Sequence, residues 1–444
     1  MLSILANRTY RHLFLAQIIA LVGTGLATVA LGLLAYDIAG ANAGAVLGTA
    51  MAIKMIAYIG VAPIVGAYAN RLPRRRFLIA MDLIRCLVAL ALPLVDQIWQ
   101  IYILIFVLQS ASAGFTPTFQ ATIPDVLPEE KDYTQALSLS RLAYDMESLT
   151  SPILAAALLT VMSFHWLFSG TAIGFACSAL LVLTTVLPRA AASRPTGGIY
   201  HNTTSGARLY LKTPRLRGLL AVTLAAAAAS AMVIVNTPVL VQASLGRGQS
   251  AMAITLAAFG GGSMLAALLL PRLLERLSDR TVMLSAASAM TVTLAALALS
   301  WQGHASSHYW GVILIGWLML GITYSASITP GGRLLRRSSG EQDRPALFAA
   351  QFALSHVCWL IAYPLAGQTG AFGGMGAALG VAAALALVGT VIAFRIWPAE
   401  DPEVLAHTHD DLPPDHPHLV EGHSEGRTAH TFVIDELHPH WPTR

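Results

Sequence analysis

The chain has 444 residues, of which 55% are hydrophobic and only 11% carry a charged side chain. Ordinary soluble domains carry about 25% charged residues, so this composition excludes a set of water-soluble domains. The three cysteines, Cys86, Cys177 and Cys358, form no CxxC pair, which disfavours zinc ribbons, iron–sulfur clusters and redox motifs. A multi-pass integral membrane protein remains.

Apolar runs long enough to cross a bilayer occur twelve times along the chain. A helix that crosses the hydrocarbon layer needs about 20 residues, and membrane barrels would instead show short alternating segments. The sequence therefore predicts an all-α membrane protein with twelve transmembrane helices. The runs cover residues 12–36, 44–69, 77–95, 98–122, 135–161, 165–187, 217–243, 249–271, 282–301, 309–329, 346–369 and 374–397.

A polar segment at 188–216 divides the spans into two groups of six. We expect a six-helix bundle at 1–187, a solvated linker with a short basic surface helix at 188–216, a second bundle at 217–397 and a tail at 398–444. Lys and Arg total 21 on the face that holds both termini of the body and one, Arg247, on the opposite face. This asymmetry predicts that both termini lie on the cytoplasmic side of a bacterial inner membrane.

Two groups of six spans are typical of secondary transporters, in which two bundles rock about a central site. The sequence has no P-loop, no GxGxxG after a strand and no nucleophile motif, which disfavours an ATP-driven pump and a membrane enzyme. We expect a monomer in the lipid bilayer with no nucleic-acid partner and no required cofactor.

Ionisable groups inside spans are costly, so they are candidates for transport and proton coupling. Asp37 lies at the outer end of the first span, where water can solvate it. Lys54 lies deeper, where a fixed cation would repel a bare metal cation and suit an anionic or chelated cargo. His356, near mid-membrane in the second half, is able to hold a metal or shuttle a proton. The candidates are Glu147, Asp145, His356, Asp37 and Lys54.

Two pairs of opposite charges have helical spacing. Asp82 and Arg85 are three residues apart, and Arg141 and Asp145 are four apart, so each pair is expected to form a structural ion pair. At about 100° per residue, Glu147 points roughly 200° away from Asp145. One of these two carboxylates is therefore free to face a cavity while the other is paired.

Histidines are concentrated in the tail. Eight of the fourteen lie between 407 and 444, interleaved with carboxylates and with prolines that forbid a continuous helix. Imidazole with carboxylates suits Ni, Cu, Zn and Co, so we predict a disordered metal-binding tail that concentrates metal near the inward mouth. The alternative is an acidic tail that lies against the basic body. The candidate ligands are His407, His409, His416, His418, His423, His430, His438 and His440.

The loop between the second and third spans carries a recognisable motif. It reads Gly66-Ala-Tyr-Ala-Asn70-Arg71-Leu-Pro73-Arg74-Arg75-Arg76, with a weaker echo, Arg276-Leu-Ser-Asp279-Arg280, in the second half. It resembles the G-x-x-x-D-R-x-G-R-R signature of the major facilitator superfamily, with Asn70 in place of Asp and Pro73 in place of Gly. The resemblance implies that Gly66, Asn70, Arg71, Arg74 and Arg75 steady one conformation of a carrier.

Within that superfamily, residues 74–85 and 115–128 resemble the branch that includes enterobactin exporters. The chain also resembles bacterial nickel-resistance exporters, which likewise end in a histidine-rich tail. The resemblance implies export of nickel, with cobalt as a related cargo, by proton antiport, and hence metal resistance.

Two other functions remain open. Lys54 and the apolar cavity helices favour an exporter of drugs, siderophores or metal chelates. A membrane metal sensor or store is disfavoured, because an anchor has no use for twelve spans with glycine-rich breaks such as 260–262. If free Ni²⁺ is the cargo, its export costs about 4.6 kcal/mol per 100 mV, and two entering protons cancel that charge.

Overall fold

The computed structural model describes residues 2–39, 43–68, 73–188, 199–301, 309–400, 404–407, 423–424, 427–431, 433 and 438. The N-terminal half begins with a 3₁₀ turn at Leu2–Ala6 and has a second one at Leu92–Leu94. Its six long helices are α1 (Arg8–Ala39), α2 (Ala43–Tyr68), α3 (Arg74–Ala91), α4 (Ile98–Val126), α5 (Glu130–Leu159) and α6 (His165–Leu183).

The C-terminal half follows a short helix, α7, that lies between the halves in sequence. A π-helical turn at Val239–Ser244 continues α8 toward the face opposite the termini. The helices are α7 (Ile199–Lys212), α8 (Pro214–Pro238), α9 (Gln249–Leu274), α10 (Asp279–Ser300), α11 (Tyr309–Ile328), α12 (Gly331–Arg337) and α13 (Arg344–Ile396).

Ten helices in the described ranges are long and apolar enough to cross a membrane. One of them, α13, has 53 residues and contains a break at Gly374, where φ is 77° and only glycine is unstrained, so it supplies two spans. The 30-residue α5 also has the length to cross but carries several charges. With these two adjustments each predicted span corresponds to one helix or to one part of α13, and the prediction of an all-α membrane fold is confirmed.

Small residues allow the helices of each half to approach closely. In the N-terminal half, Gly23 of α1 lies against Gly174 of α6, and Thr171 donates a 2.8 Å hydrogen bond to the Gly23 carbonyl. In the C-terminal half, a Cβ on Gly262 of α9 would lie 2.1 Å from a backbone oxygen of α11, and one on Gly321 of α11 would lie 1.9 Å from a backbone oxygen of α9. Such close approach is typical of helix pairs in membranes, where small residues bring backbones into contact.

The linker helix α7 has exposed residues and also a buried side. It packs against both α2 and α13. Tyr210 is fully buried and donates a hydrogen bond to Gln351 of α13, and a Cβ on Gly206 would lie 2.3 Å from the Ala346 carbonyl oxygen. One side of α7 therefore packs against the body. A buried tyrosine hydroxyl needs a hydrogen-bond partner, and Gln351 of α13 supplies it.

Three short strands lie in the tail: β1 (Val404–His407), β2 (His423–Ser424) and β3 (Arg427–Thr431). They form an antiparallel sheet in the order β1-β3-β2, with Val404 opposite Thr431 and His423 opposite Thr428. The prediction of a disordered tail rests on the prolines that interrupt it. The strands occupy its proline-free stretches, where every backbone N–H is available for pairing.

Candidate transport site

Lys54 and Tyr58 place a cation and an aromatic ring on one side of α2, near the middle of the span. The Lys54 ammonium lies 5.5 Å from the centre of the Tyr58 ring, and the two residues are one helical turn apart. The Tyr58 ring also contacts α13: its centre is 4.8 Å from that of Phe352 and 4.6 Å from that of His356. The cluster therefore joins the two halves at mid-depth.

His356 has one ring nitrogen occupied and one available. Its Nδ1 lies 2.6 Å from the Phe352 carbonyl oxygen on the preceding turn of α13. Because a carbonyl only accepts, Nδ1 carries the hydrogen, and Nε2 remains to accept a proton or a ligand. The ring meets Tyr58 edge to face, at an interplanar angle of 87°.

Glu147 of α5 is partly buried and lies near Lys54, so the two charges act on each other. Glycine at position 25 lets α1 approach this carboxylate. A Cβ there would lie 2.6 Å from Glu147 Oε1 and 2.1 Å from Ser151 Oγ, inside van der Waals contact. The structure thus places Glu147, Lys54 and His356 in one region, as far as the described residues extend.

Asp145 lies on a different side of α5 from Glu147, as the angle between the two residues predicts. It is buried, and Arg141 holds both of its oxygens, with Nε 3.2 Å from Oδ2 and Nη2 bonded to Oδ1. Arg141 also donates to Ser263 Oγ of α9 at 3.0 Å and lies 4.8 Å from the Tyr324 ring centre of α11. Asp145 is therefore engaged by a cation that bridges the two halves.

Asp82 and Arg85 form the expected ion pair inside the N-terminal half. Ser178 of α6 donates a 2.8 Å hydrogen bond to the second oxygen of Asp82, and the Arg85 guanidinium lies between the rings of Phe115 and Phe175, at 4.1 and 4.5 Å. Both charged residues are at most 5% exposed. The pair joins α3 to α4 and α6; its purely structural role stays a prediction.

The basic face, defined as the face where α1 begins and α13 ends, is closed by ion pairs between the halves. Asp125 at the end of α4 binds Arg74 of α3 through one oxygen and Arg344 of α13 through the other. Nearby, Gly66 of α2 packs against α13, where an added Cβ would lie 2.4 Å from the Ala349 Cβ. The side chain of Asp125 thus connects the motif arginine to the other half.

A second group of charges continues this closure. Arg333 of α12 binds Glu130 of α5 and lies 2.9 Å from Asp279 at the start of α10, which also meets Arg337 at 3.3 Å. Arg333 additionally donates to Thr134 Oγ1 at 2.6 Å. The short helix α12 therefore positions one guanidinium against both halves, and Asp279 is the acidic residue of the second motif copy.

Several predicted residues do not join the central region. Asp37 is exposed at the end of α1, and Arg75 donates to the Thr185 carbonyl at 3.3 Å on the basic face. Asn70 and Arg71 lie outside the described residues. In the tail, His407, His423 and His430 lie in strands and His438 is buried, whereas the remaining tail candidates, His409, His416, His418 and His440, lie outside the described residues.

Sequence reasoning missed the aromatic and interhalf partners of the charged candidates. The helical spacing between Lys54 and Tyr58 was available as a signal, but nothing local indicates partners more than a hundred residues away. The missed residues are Tyr58, Phe352, Ser263, Tyr324, Asp125, Arg333 and Arg344.

Within the described residues, no group of three or more His, Cys, Asp or Glu side chains is close enough to hold a metal ion. The central region instead offers a cation, a carboxylate, an imidazole and aromatic rings. Aromatic side chains with a few polar groups are typical of small-molecule sites in proteins.

Comparison with known proteins agrees with this architecture. The pattern of the Major Facilitator Superfamily matches residues 13–300 and 219–414. Macrolide efflux protein A of Enterococcus faecalis is 25% identical over 153 residues, which cover 32% of this chain and 47% of that protein.

Solved structures share the fold across most of the chain. The human organic anion transporter MFSD10 (TETRAN) superposes with a TM-score of 0.73 at 12% identity, covering 87% of this chain and 99% of that one. A bacterial homologue of the iron transporter ferroportin in an outward-facing state gives 0.71 at 15% identity, covering 87% and 98%. At such identities the likeness concerns the fold alone.

Two helical halves that meet around a charged, aromatic mid-membrane region define a multi-pass membrane transporter of small molecules, not an enzyme. Because the family pattern covers most of its length, the chain belongs to the Major Facilitator Superfamily.

Proposed function

We propose that this protein is a proton-coupled exporter of the bacterial inner membrane, with both termini of the body in the cytoplasm. The excess of Lys and Arg on the basic face supports this orientation. In this orientation the interhalf ion pairs on that face would close the cytoplasmic side and separate the central region from the cytoplasm. Similarity to a macrolide efflux protein supports export as the direction.

The cargo that the central region supports best is an organic solute with a negative charge, including an anionic metal chelate. The observation that carries this proposal is the position of Lys54, a fixed cation at mid-depth beside the Tyr58 ring and opposite α13. A cation there attracts an anionic group and repels a bare divalent ion. The rings of Tyr58, Phe352 and His356 offer faces and edges for stacking.

Proton coupling is assigned to Glu147, with His356 as the second titrating group. Among the described residues no arginine binds Glu147, in contrast to Asp145, and the charge state of Glu147 affects Lys54. Protonation of Glu147 removes the negative charge beside Lys54, so the net charge of the central region changes each time a proton binds or leaves.

Export of nickel or cobalt as free ions is the second candidate, and the histidine-rich tail favours it. Eight histidines with interspersed carboxylates suit these metals, and a tethered ligand raises the metal concentration near the basic face. In this candidate the tail gathers Ni(II) or Co(II), so deletion of residues 399–444 weakens resistance without abolishing it.

A growth assay separates the two candidates. Cells that carry the gene, a Lys54→Met variant or a chain ending at residue 398 are compared on Ni²⁺, Co²⁺, Zn²⁺ and a panel of organic anions, chelators and drugs, with Lys54→Arg as the charge-conserving control. An organic anionic cargo predicts protection that Lys54→Met loses and Lys54→Arg keeps. Protection against metals alone, undiminished in Lys54→Met, would instead establish the free-ion candidate.

A further inference from the structure

A polar cavity of about 220 Å³ lies on the basic face between the two halves, away from the central region. We call it the arginine cavity. Its charged lining consists of Arg74 from the N-terminal half, Asp125 at the end of α4, and Arg336, Glu341 and Arg344 from the C-terminal half; Pro124, Pro128 and Pro188 complete it. Three guanidinium groups therefore meet two carboxylates, leaving one net positive charge.

The carboxylates do not use up the donors of these arginines. Asp125 binds Arg74 through one oxygen and Arg344 through the other, while Glu341 is exposed. Among the described residues no acceptor meets Arg344 Nε or Arg336 Nη1, although both atoms are buried. Arg344 as a whole is only 9% exposed. Arg336 does bind the Pro128 carbonyl oxygen, but through Nη2.

A buried donor without an acceptor is costly, because an unmade hydrogen bond at such a group costs about 1–3 kcal/mol. Here two such donors lie in one cavity with surplus positive charge. Guanidinium groups present planar, paired N–H donors that match the oxygens of a phosphate. Asp125 accepts from Arg74 and Arg344 through other nitrogen atoms, so its ion pairs leave these two donors unmet.

We propose that the arginine cavity binds a phosphate-type oxyanion, supplied either as the headgroup of an anionic phospholipid or as a free phosphate. The anion accepts from Arg336 Nη1 and Arg344 Nε and compensates the remaining charge of Arg74. This proposal is independent of the cargo, because none of these residues lies in the central region.

Binding here favours the closed basic face. Arg74 belongs to the N-terminal half, and Arg336 and Arg344 belong to the C-terminal half. When the halves separate on this side, the three arginines no longer surround one ligand. An anion that binds the closed arrangement more tightly shifts the population toward it. The site would thus couple the phosphate or lipid environment to the conformation of the carrier.

Thermal unfolding of the purified full-length protein tests the proposal. One arm titrates sodium phosphate against sodium chloride at constant ionic strength, with the protein in nanodiscs of phosphatidylcholine. The other arm replaces part of that lipid with phosphatidylglycerol. Arg336→Gln removes the charge and the guanidinium donors of one arginine, whereas Arg336→Lys keeps the charge but lacks the planar guanidinium group. The matched control is Arg276→Gln, which removes an exposed arginine from the same face.

We expect the Tm of the wild-type protein and of Arg276→Gln to rise with the ligand. In Arg336→Gln the apparent Kd for the ligand should increase at least tenfold. The Kd of Arg336→Lys should lie between those of the wild-type protein and Arg336→Gln. A rise with phosphate identifies a free anion, and a rise confined to phosphatidylglycerol identifies a lipid headgroup. No rise in either arm, an unchanged Kd in Arg336→Gln, or an equal loss in Arg276→Gln overturns the site. The comparison of Kd values remains valid if Arg336→Gln lowers the starting Tm.

Discussion

Arg141 of α5 donates a hydrogen bond to Ser263 of α9, with 3.0 Å between Nε and Oγ, so a cation of one half is tied to the other half. Asp145, four residues further along the same helix, compensates the charge of Arg141. Arg141 can therefore leave Ser263 without becoming an uncompensated charge. A contact of this kind suits a carrier, because it stabilises one arrangement of the halves and is released at modest cost.

Ser263→Ala should weaken the closed basic face. Loss of one hydrogen bond to a charged donor costs about 1.5–3 kcal/mol when the donor is left without that partner, and less here because Asp145 still holds Arg141. We expect at least a threefold shift toward the open arrangement. Spin labels at positions 129 and 340, exposed residues of opposite halves, report the distance across the basic face in a cysteine-free background.

Ser285→Ala is the control for that substitution. Among the described residues its hydroxyl bonds to carbonyl oxygens of its own helix alone, those of Thr281 and Val282. Its distance distribution should match that of the wild-type protein. Equal distributions for Ser263→Ala and wild type would show that the hydrogen bond does not hold the halves together.

Gly25→Ala should impair transport because of the space that Glu147 needs. An added Cβ would lie 2.1 Å from Ser151 Oγ and 2.6 Å from Glu147 Oε1, so α1 must move or the carboxylate must turn. Gly32→Ala, on the same helix with nothing within 4 Å of its Cβ, is the matched control. Alanine there should be neutral or slightly stabilising, by up to about 1 kcal/mol. Transport in vesicles and Tm should fall for Gly25→Ala only; equal results for both variants contradict the assignment.

The parts of the structure that follow from local pattern could be predicted. Helix spacing alone paired Asp82 with Arg85 and Arg141 with Asp145, and it turned Glu147 away from Asp145. Hydropathy located the spans, although the glycine at 374 sets the last two apart by a backbone angle and not by a polar loop.

The contacts that decide function join distant segments, and no local rule reaches them. Asp125 and Arg344 are 219 residues apart, and Arg141 and Ser263 are 122 apart. In the sequence nothing distinguishes Tyr58 from the other residues of its span. Its contact with His356 depends on how α2 packs against α13. The linker helix likewise became a packed element only because α2 and α13 offer it a surface.

Asp125→Asn should open the basic face more than the loss of an exposed ion pair does. The substitution leaves Arg74 and Arg344, which are 5% and 9% exposed, without their shared carboxylate. Removing one partner of a buried pair costs about 3–5 kcal/mol. The matched control is Lys131→Gln, whose pair with Glu275 is 3.1 Å long and solvent-exposed, so its loss should cost at most about 1 kcal/mol.

The distance between labels at 129 and 340 and the Tm are again the measurements. In Asp125→Asn the long-distance population should dominate, whereas Lys131→Gln should remain closed. Raised salt should reproduce the effect of Lys131→Gln but not that of Asp125→Asn, because buried pairs are screened much less. Similar behaviour of the two variants would mean that Asp125 does not close the face.

The two carboxylates of α5 should fail in different ways when each is replaced by its amide. Asp145→Asn removes the partner of a mostly buried guanidinium, so the amount of folded protein should fall, as measured by fluorescence-detected size-exclusion chromatography. Glu147→Gln removes no arginine partner, and the protein should fold normally while transport driven by a pH gradient is lost. Exchange of cargo across vesicles without a gradient should persist in Glu147→Gln, because exchange needs no proton transfer. Gradient-driven export at the wild-type rate in this variant would remove Glu147 from proton coupling and leave His356→Ala as the next variant to measure.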